Sequence, residues 1–165
     1  MKKVIFIGQA MPRFKRDLHD WPSLNSWLNK IGISDREIRE NFFYSALVNY
    51  FPGQKNGTHR VPTNLEIERE RRRLVDTIKN FNPEIVVPIG KLSISYCLDE
   101  KVEKLRDYIG KNYNVNPYKA LNEDLLVIPL PHPSGASTWR HKHENMILLK
   151  KALKFLKTNL SPNNP

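Results

Sequence analysis

Four short apolar runs punctuate the chain: Val4–Ile7, Phe42–Val48, Ile85–Ile89 and Leu125–Leu130. Each is near-continuous rather than alternating, and three are rich in Val and Ile. A strand buried on both faces needs no polar side, so the pattern predicts a parallel sheet covered by helices. Between the runs the apolar period changes. Leu24, Trp27, Leu28 and Ile31 recur at helical spacing. Thr63-Asn64-Leu65-Glu66 reads as a capping box that opens a long helix to about Asn80, with Leu65, Ile67, Leu74, Val75 and Ile78 as its apolar positions. The charged residues from Glu66 to Arg73 read as a solvated face laced with ion pairs. Asn82-Pro83 ends that helix. Lys91–Leu98 reads as a further helix, with Cys97 late in it as a buried thiol. A last helix is expected from about His141 to Lys157, its stripe formed by Met146, Ile147, Leu149, Ala152, Leu153, Phe155 and Leu156. Strands alternating with helices predict an α/β fold: a three-layer α/β/α sandwich with a central four-stranded parallel sheet. Residues 1–160 are expected to form a single domain, followed by a flexible tail over 161–165.

Composition narrows the functional classes. The chain has 165 residues, 39% apolar and 27% charged, as expected of a globular domain. That length buries about two thirds of the unfolded surface without staples. Cys97 is the single cysteine. It excludes an intramolecular disulfide, and zinc ribbons and thiolate-held iron–sulfur clusters need several. The 27 Lys+Arg exceed the 17 Asp+Glu, for a net charge of +10, which favours a polyanion such as DNA, RNA or an acidic membrane. The apolar stretch Val4–Ile7 is too short for a secretory signal, and no run approaches the ~18 residues of a membrane span. A cytoplasmic location is expected, which suits an unpaired thiol.

In open α/β sheets ligands bind beyond the carboxyl ends of the strands. Four loops follow those ends here: Gly8–Phe14, Asn49–Gly53, Pro88–Lys91 and Pro129–Arg140. The segment Asn49–Pro62 is too long for a plain connector and reads as a functional or mobile loop. No G-x-G-x-x-G, P-loop or G-x-S-x-G pattern occurs. His141 and His143 point to different faces of a helix and are expected in solvent. Segment 131–140 is the most informative. Prolines flank His132, and Ser134-Gly135-Ala136-Ser137 offers small residues and backbone N–H groups that suit a phosphate.

Gly8-Gln9-Ala10 near the N-terminus and His132-Pro133-Ser134 near the C-terminus resemble the uracil-DNA glycosylase superfamily. The likeness extends through Ser45–Pro62, Glu66–Leu74 and Asn82–Lys91, and covers most of residues 4–155 in order. The nearest branch is the archaeal and bacterial type, whose best-known members hold an iron–sulfur cluster. The cluster ligands are absent here, so no metal and no cofactor is expected.

The resemblance implies a DNA repair glycosylase. It would hydrolyse the N-glycosidic bond of uracil or another deaminated base in DNA and leave an abasic site. It also implies roles residue by residue. Gln9 and Ala10 would bind the flipped base and position the attacking water. Ala10 stands where many relatives carry Asp or Asn, so main-chain positioning is expected. His132 would hydrogen-bond the base oxygen as negative charge develops. Gly8 belongs to the base pocket, and Phe14 or Trp21 would stack on the base. Ser45 or Ala46 stands where relatives use Asn to read the base amide edge. Ala136 or Trp139 would fill the gap left by the base. DNA contacts are expected from Arg13, Lys15, Arg16, Arg60, Ser134, Gly135, Ser137, Trp139 and Arg140, with Lys55 and Lys142 beside them. The expected partner is DNA with a damaged base, bound by a monomer and without a membrane. Two other readings share the site: a DNA-binding member of the fold without turnover, and an N-glycosidase on free nucleosides.

Overall fold

A computed structural model describes residues 1–15, 17–134 and 137–162. The strands are β1 (Val4–Ala10), β2 (Phe42–Val48), β3 (Gln54–Lys55), β4 (Thr58–His59), β5 (Ile85–Pro88), β6 (Tyr113–Val115) and β7 (Leu125–Val127). The helices are α1 (Pro22–Lys30), α2 (Asp35–Asn41), α3 (Asn64–Phe81), α4 (Lys91–Leu98) and α5 (His143–Asn159). All four apolar runs became strands of one sheet, ordered β2-β1-β5-β7-β6. The first four are parallel, as the continuous burial pattern requires. The sheet has a fifth strand as well. β6 pairs antiparallel with β7 at the edge. Three residues were too few to show a period.

The crossover from β1 to β2 runs one way across the sheet, and that from β2 to β5 runs the other. Right-handed connections then place their helices on opposite faces. The two cores show it. Val4, Phe6, Phe42, Tyr44, Ile85 and Val87 pack with Leu24, Trp27 and Leu28 of α1, Ile38 of α2, and Leu149, Leu153 and Leu156 of α5. Ile5, Ile7, Leu47, Val48 and Val86 pack with Ile67, Leu74 and Ile78 of α3. The direction reverses at β1, so the crevice for a ligand opens at the carboxyl end of β1.

Local signals explain most boundaries. Thr63 and Glu66 form the expected capping box. Asn82 adopts the left-handed C-cap (φ 52°), and Pro83 prevents continuation. Two charged segments hide their structure. Ser34 and Glu37 form a second capping box that starts α2, in which Ile38 is the buried residue. Asn56 and Gly57, with φ of 52° and 76°, make the tight turn joining β3 to β4. The Asn49–Pro62 loop is therefore built around a hairpin.

Two apolar positions face solvent instead of the core: Leu65 is 60% exposed and Ile147 53% exposed. The last helix begins at His143, after a short 3-10 turn over Trp139–His141. His141 and His143 are both exposed, as expected. Cys97 is buried, and burial pushes its thiol up to about 12, too high for a nucleophile at neutral pH. Among the described residues no helix is long and apolar enough to cross a membrane. None of them form a group of three or more His, Cys, Asp or Glu that would hold a metal ion.

Candidate active site

A cavity of about 690 Å³ opens at the carboxyl end of β1. Gly8, Gln9 and Ala10 line it from β1, and His132 and Ser134 from the loop after β7. Phe14, Lys15, Trp21, Ser45 and Arg60 line it too. The two sequence motifs, far apart in the chain, thus share one cavity. The end of β5 at Pro88–Lys91 does not line it. The strand ends of β1 and β2 and the loop after β7 enclose it, together with the hairpin loop.

Trp21 is held on three sides. A Cβ added at Gly8 would lie 3.1 Å from the indole, so glycine there permits the close approach. The indole meets the Tyr44 ring edge-on at 6.0 Å and the His132 ring at 5.8 Å. Its backbone is fixed as well: the Trp21 N–H donates to the His19 carbonyl, and the Trp21 carbonyl accepts from the Asn25 N–H, both at 2.9 Å. The Asn25 amide donates to the His19 carbonyl at 2.9 Å and accepts from the Tyr44 hydroxyl at 2.6 Å. The His19 ring bonds the Phe42 carbonyl at 2.8 Å. Phe14, by contrast, is 81% exposed, with the Arg13 guanidinium over its ring at 5.4 Å. The structure thus places Trp21 in the interior of the site and Phe14 at its mouth.

His132 has a defined tautomer. The Ser134 N–H donates to Nδ1 at 3.1 Å. A neutral ring that accepts at Nδ1 carries its proton on Nε2 and presents that N–H as a donor. Desolvation lowers the pKa of the imidazole from 6.5, and the Arg140 charge adds to the effect. Both favour the neutral ring at pH 7. In a ring-proton NMR titration His132 is expected to titrate below 6.5. Arg140→Gln should move the midpoint up towards 6.5, because a like charge is removed.

Several expected DNA contacts are committed within the protein. Arg60 donates to both Glu66 oxygens (2.8 and 2.6 Å) and to the Pro52 carbonyl (2.8 Å). Glu66 also accepts from the Thr63 N–H at 2.7 Å. One carboxylate therefore caps α3 and ties it to the hairpin loop, and these bonds hold its pKa well below the usual carboxylate range. A depressed carboxyl contributes stability above its unfolded value and loses it as the pH falls through the folded value. Glu66→Gln should lower the melting temperature by a few degrees at pH 7. The gap to the native protein should shrink as the pH falls below 4.5, the ordinary value. Thermal unfolding followed by circular dichroism across pH checks this.

Arg140 stacks over Trp27 at 5.4 Å and donates to the Ser134 carbonyl at 3.1 Å. It braces the loop that carries His132. The Ser137 N–H reaches the same carbonyl at 3.2 Å. Trp139 packs on the core beside α5, away from the cavity, and its carbonyl accepts from Asn145. Arg16, Gly135 and Ala136 lie outside the described residues. Ala46 pairs with Gly8 across the sheet and is buried, but does not line the cavity. The Ser45 hydroxyl accepts from Arg73 at 3.1 Å. Arg73 also donates to the Ala46 carbonyl at 2.7 Å, and Glu70 accepts from the Asn49 N–H at 2.8 Å. The charged face of α3 therefore does more than meet solvent: Glu66, Glu70 and Arg73 clamp β2 and its loop.

Four other lining residues were not among the expected site residues: Asp20, Tyr44, Phe51 and His59. Phe51 and His59 meet edge-on at 5.2 Å across the hairpin loop. The Asn-Gly turn would have brought His59 back towards Phe51. The family model of the uracil DNA glycosylase superfamily matches residues 2–157. No curated protein matches the chain.

Proposed function

The chain belongs to the uracil DNA glycosylase superfamily, and from that premise we propose that it hydrolyses the N-glycosidic bond of uracil or another deaminated base in DNA. The observation that carries the reading is the Ser134 N–H on His132 Nδ1, which reserves the Nε2 proton as a donor inside the cavity. The scissile bond is shielded in a duplex, so the nucleotide must leave the stack. Trp21 offers a fixed aromatic face for the extruded base. As the bond from C1′ to the base nitrogen breaks, the base leaves with the electron pair. His132 Nε2–H stabilises the charge that collects on the base oxygen. The oxygen of a water bonds C1′, and the proton it sheds passes to the departing base. Gln9 and Ala10 line the cavity, and in this reading the Gln9 side chain and the Ala10 backbone hold that water and the base edge. Lys15 and Arg13 flank the mouth and suit phosphates; the paired Arg60 and Arg140 shape the loops. Action on DNA as a monomer in the cytoplasm belongs to the same proposal.

Ala10 and Ala46 favour a second reading, a DNA-binding member of the fold without turnover. Neither side chain can orient water or read an amide edge. Incubating the protein with single strands and duplexes containing uracil, hypoxanthine or xanthine, followed by alkaline cleavage, separates the readings. Strand breaks at the modified base support the glycosylase. Tight, salt-sensitive binding without breaks supports the second reading. Activity on free nucleosides with indifference to DNA contradicts both.

A further inference from the structure

We propose that Asp20 supplies the carboxylate that holds the attacking water and faces the positive charge developing on the sugar. The assignment rests on the glycosylase reading above. Cleavage of a glycosidic bond passes through an oxocarbenium-like state, cationic at C1′, which an anion stabilises. Gln9 is neutral and Ala10 has no polar side chain. Asp20 is the one Asp or Glu among the described residues that line the cavity. It is not displayed by a loose loop. Its own N–H donates to the Asp17 carbonyl at 3.2 Å, and the next N–H, of Trp21, donates to the His19 carbonyl at 2.9 Å. Asp20 is thus the middle residue of a tight turn, one peptide from the indole that packs against His132.

The electrostatics point the same way. The protein carries a net charge of +10 and a polyanion is its expected partner. A carboxylate inside that cavity opposes phosphate binding, and a cationic transition state offsets the cost. Lys15 lines the cavity beside it. Burial lowers the lysine's pKa, while Asp17 and Asp20 act against that fall. Lys15 can therefore screen Asp20 from the phosphates on the side of the cavity mouth.

The test uses the full chain, Asp20→Asn and Asp20→Ala, with two readouts. The first is single-turnover base release. The second is affinity for oligonucleotides that carry either a pyrrolidine, cationic where the sugar ring would be, or its neutral tetrahydrofuran counterpart. The native protein is expected to prefer the pyrrolidine by about tenfold. Both variants should lose that preference, bind tetrahydrofuran at least as tightly as the native protein does, and release base about 100-fold more slowly. Base release by the native protein without any pyrrolidine preference overturns the role of Asp20 and leaves the glycosylase reading standing. So does a variant that retains both the rate and the preference. A native preference that vanishes in the variants, without base release from any substrate, overturns the activity and the water-holding role with it, and leaves Asp20 only as the anion that binds a cationic sugar analogue. Binding of neither oligonucleotide, without release, overturns both.

Discussion

Replacing His132 with alanine is expected to slow single-turnover base release by about 10²–10³-fold, the cost of removing one preorganised donor to a developing anion. The size follows from how the donor is prepared. Pro131 and Pro133 restrict the backbone on either side. The Ser134 N–H fixes the tautomer, and Arg140 holds the Ser134 carbonyl. The ring needs no reorganisation when charge appears on the base. Protonation of His132 would remove the Nδ1 acceptor and set an N–H against the Ser134 N–H. The acid limb of the pH–rate profile should therefore have an apparent pKa below 6.5. Affinity for abasic DNA should change little in His132→Ala, because the donor acts on the leaving base. An unchanged rate would remove His132 from the chemistry.

Trp21→Ala should weaken binding of uracil-containing single strands by about 1–3 kcal/mol, the usual worth of one base stacked on an aromatic ring. Phe14→Ala should cost clearly less. The difference follows from preorganisation. Gly8, Tyr44 and His132 hold the indole in place. Phe14 is 81% exposed and would have to be ordered by the ligand. Trp21→Phe should recover most of the loss, since a ring remains where the indole was. If Phe14→Ala proves the more damaging, the platform lies at the mouth, and the base enters less deeply than Trp21 requires.

The buried strands were legible because burial on both faces writes a continuous apolar run. α3 was legible because its capping box and left-handed Asn82 are local devices. α2 and the hairpin carry equally local devices, at Ser34–Glu37 and Asn56-Gly57, but little apolar pattern to draw the eye. β6 is too short for either. For the site, Gly8 and Gln9 stood out after the first apolar run and His132 after the last; the structure keeps Gly8 and Gln9 in β1 and puts His132 in the loop after β7. The fate of each arginine did not. Arg60 and Arg140 resemble phosphate contacts in sequence, yet one is spent on Glu66 and the other on Trp27 and the Ser134 carbonyl. Pairing across six residues of loop or onto a distant helix leaves no periodic trace. Asp20 was silent for a related reason. Its place depends on the turn from Asp17 to Trp21 and on Asn25 bridging to Tyr44, which are contacts of the folded chain.

The central claim is hydrolysis of a base from DNA, and mass spectrometry of the products reads it most directly. A single-stranded oligonucleotide with one uracil, incubated with the protein in water enriched in oxygen-18, should yield free uracil and an abasic strand carrying the heavy oxygen at C1′. The same incubation with hypoxanthine- and xanthine-containing strands should identify the preferred base. Intact oligonucleotide from all three, with His132 and Trp21 native and the protein folded, would contradict the account.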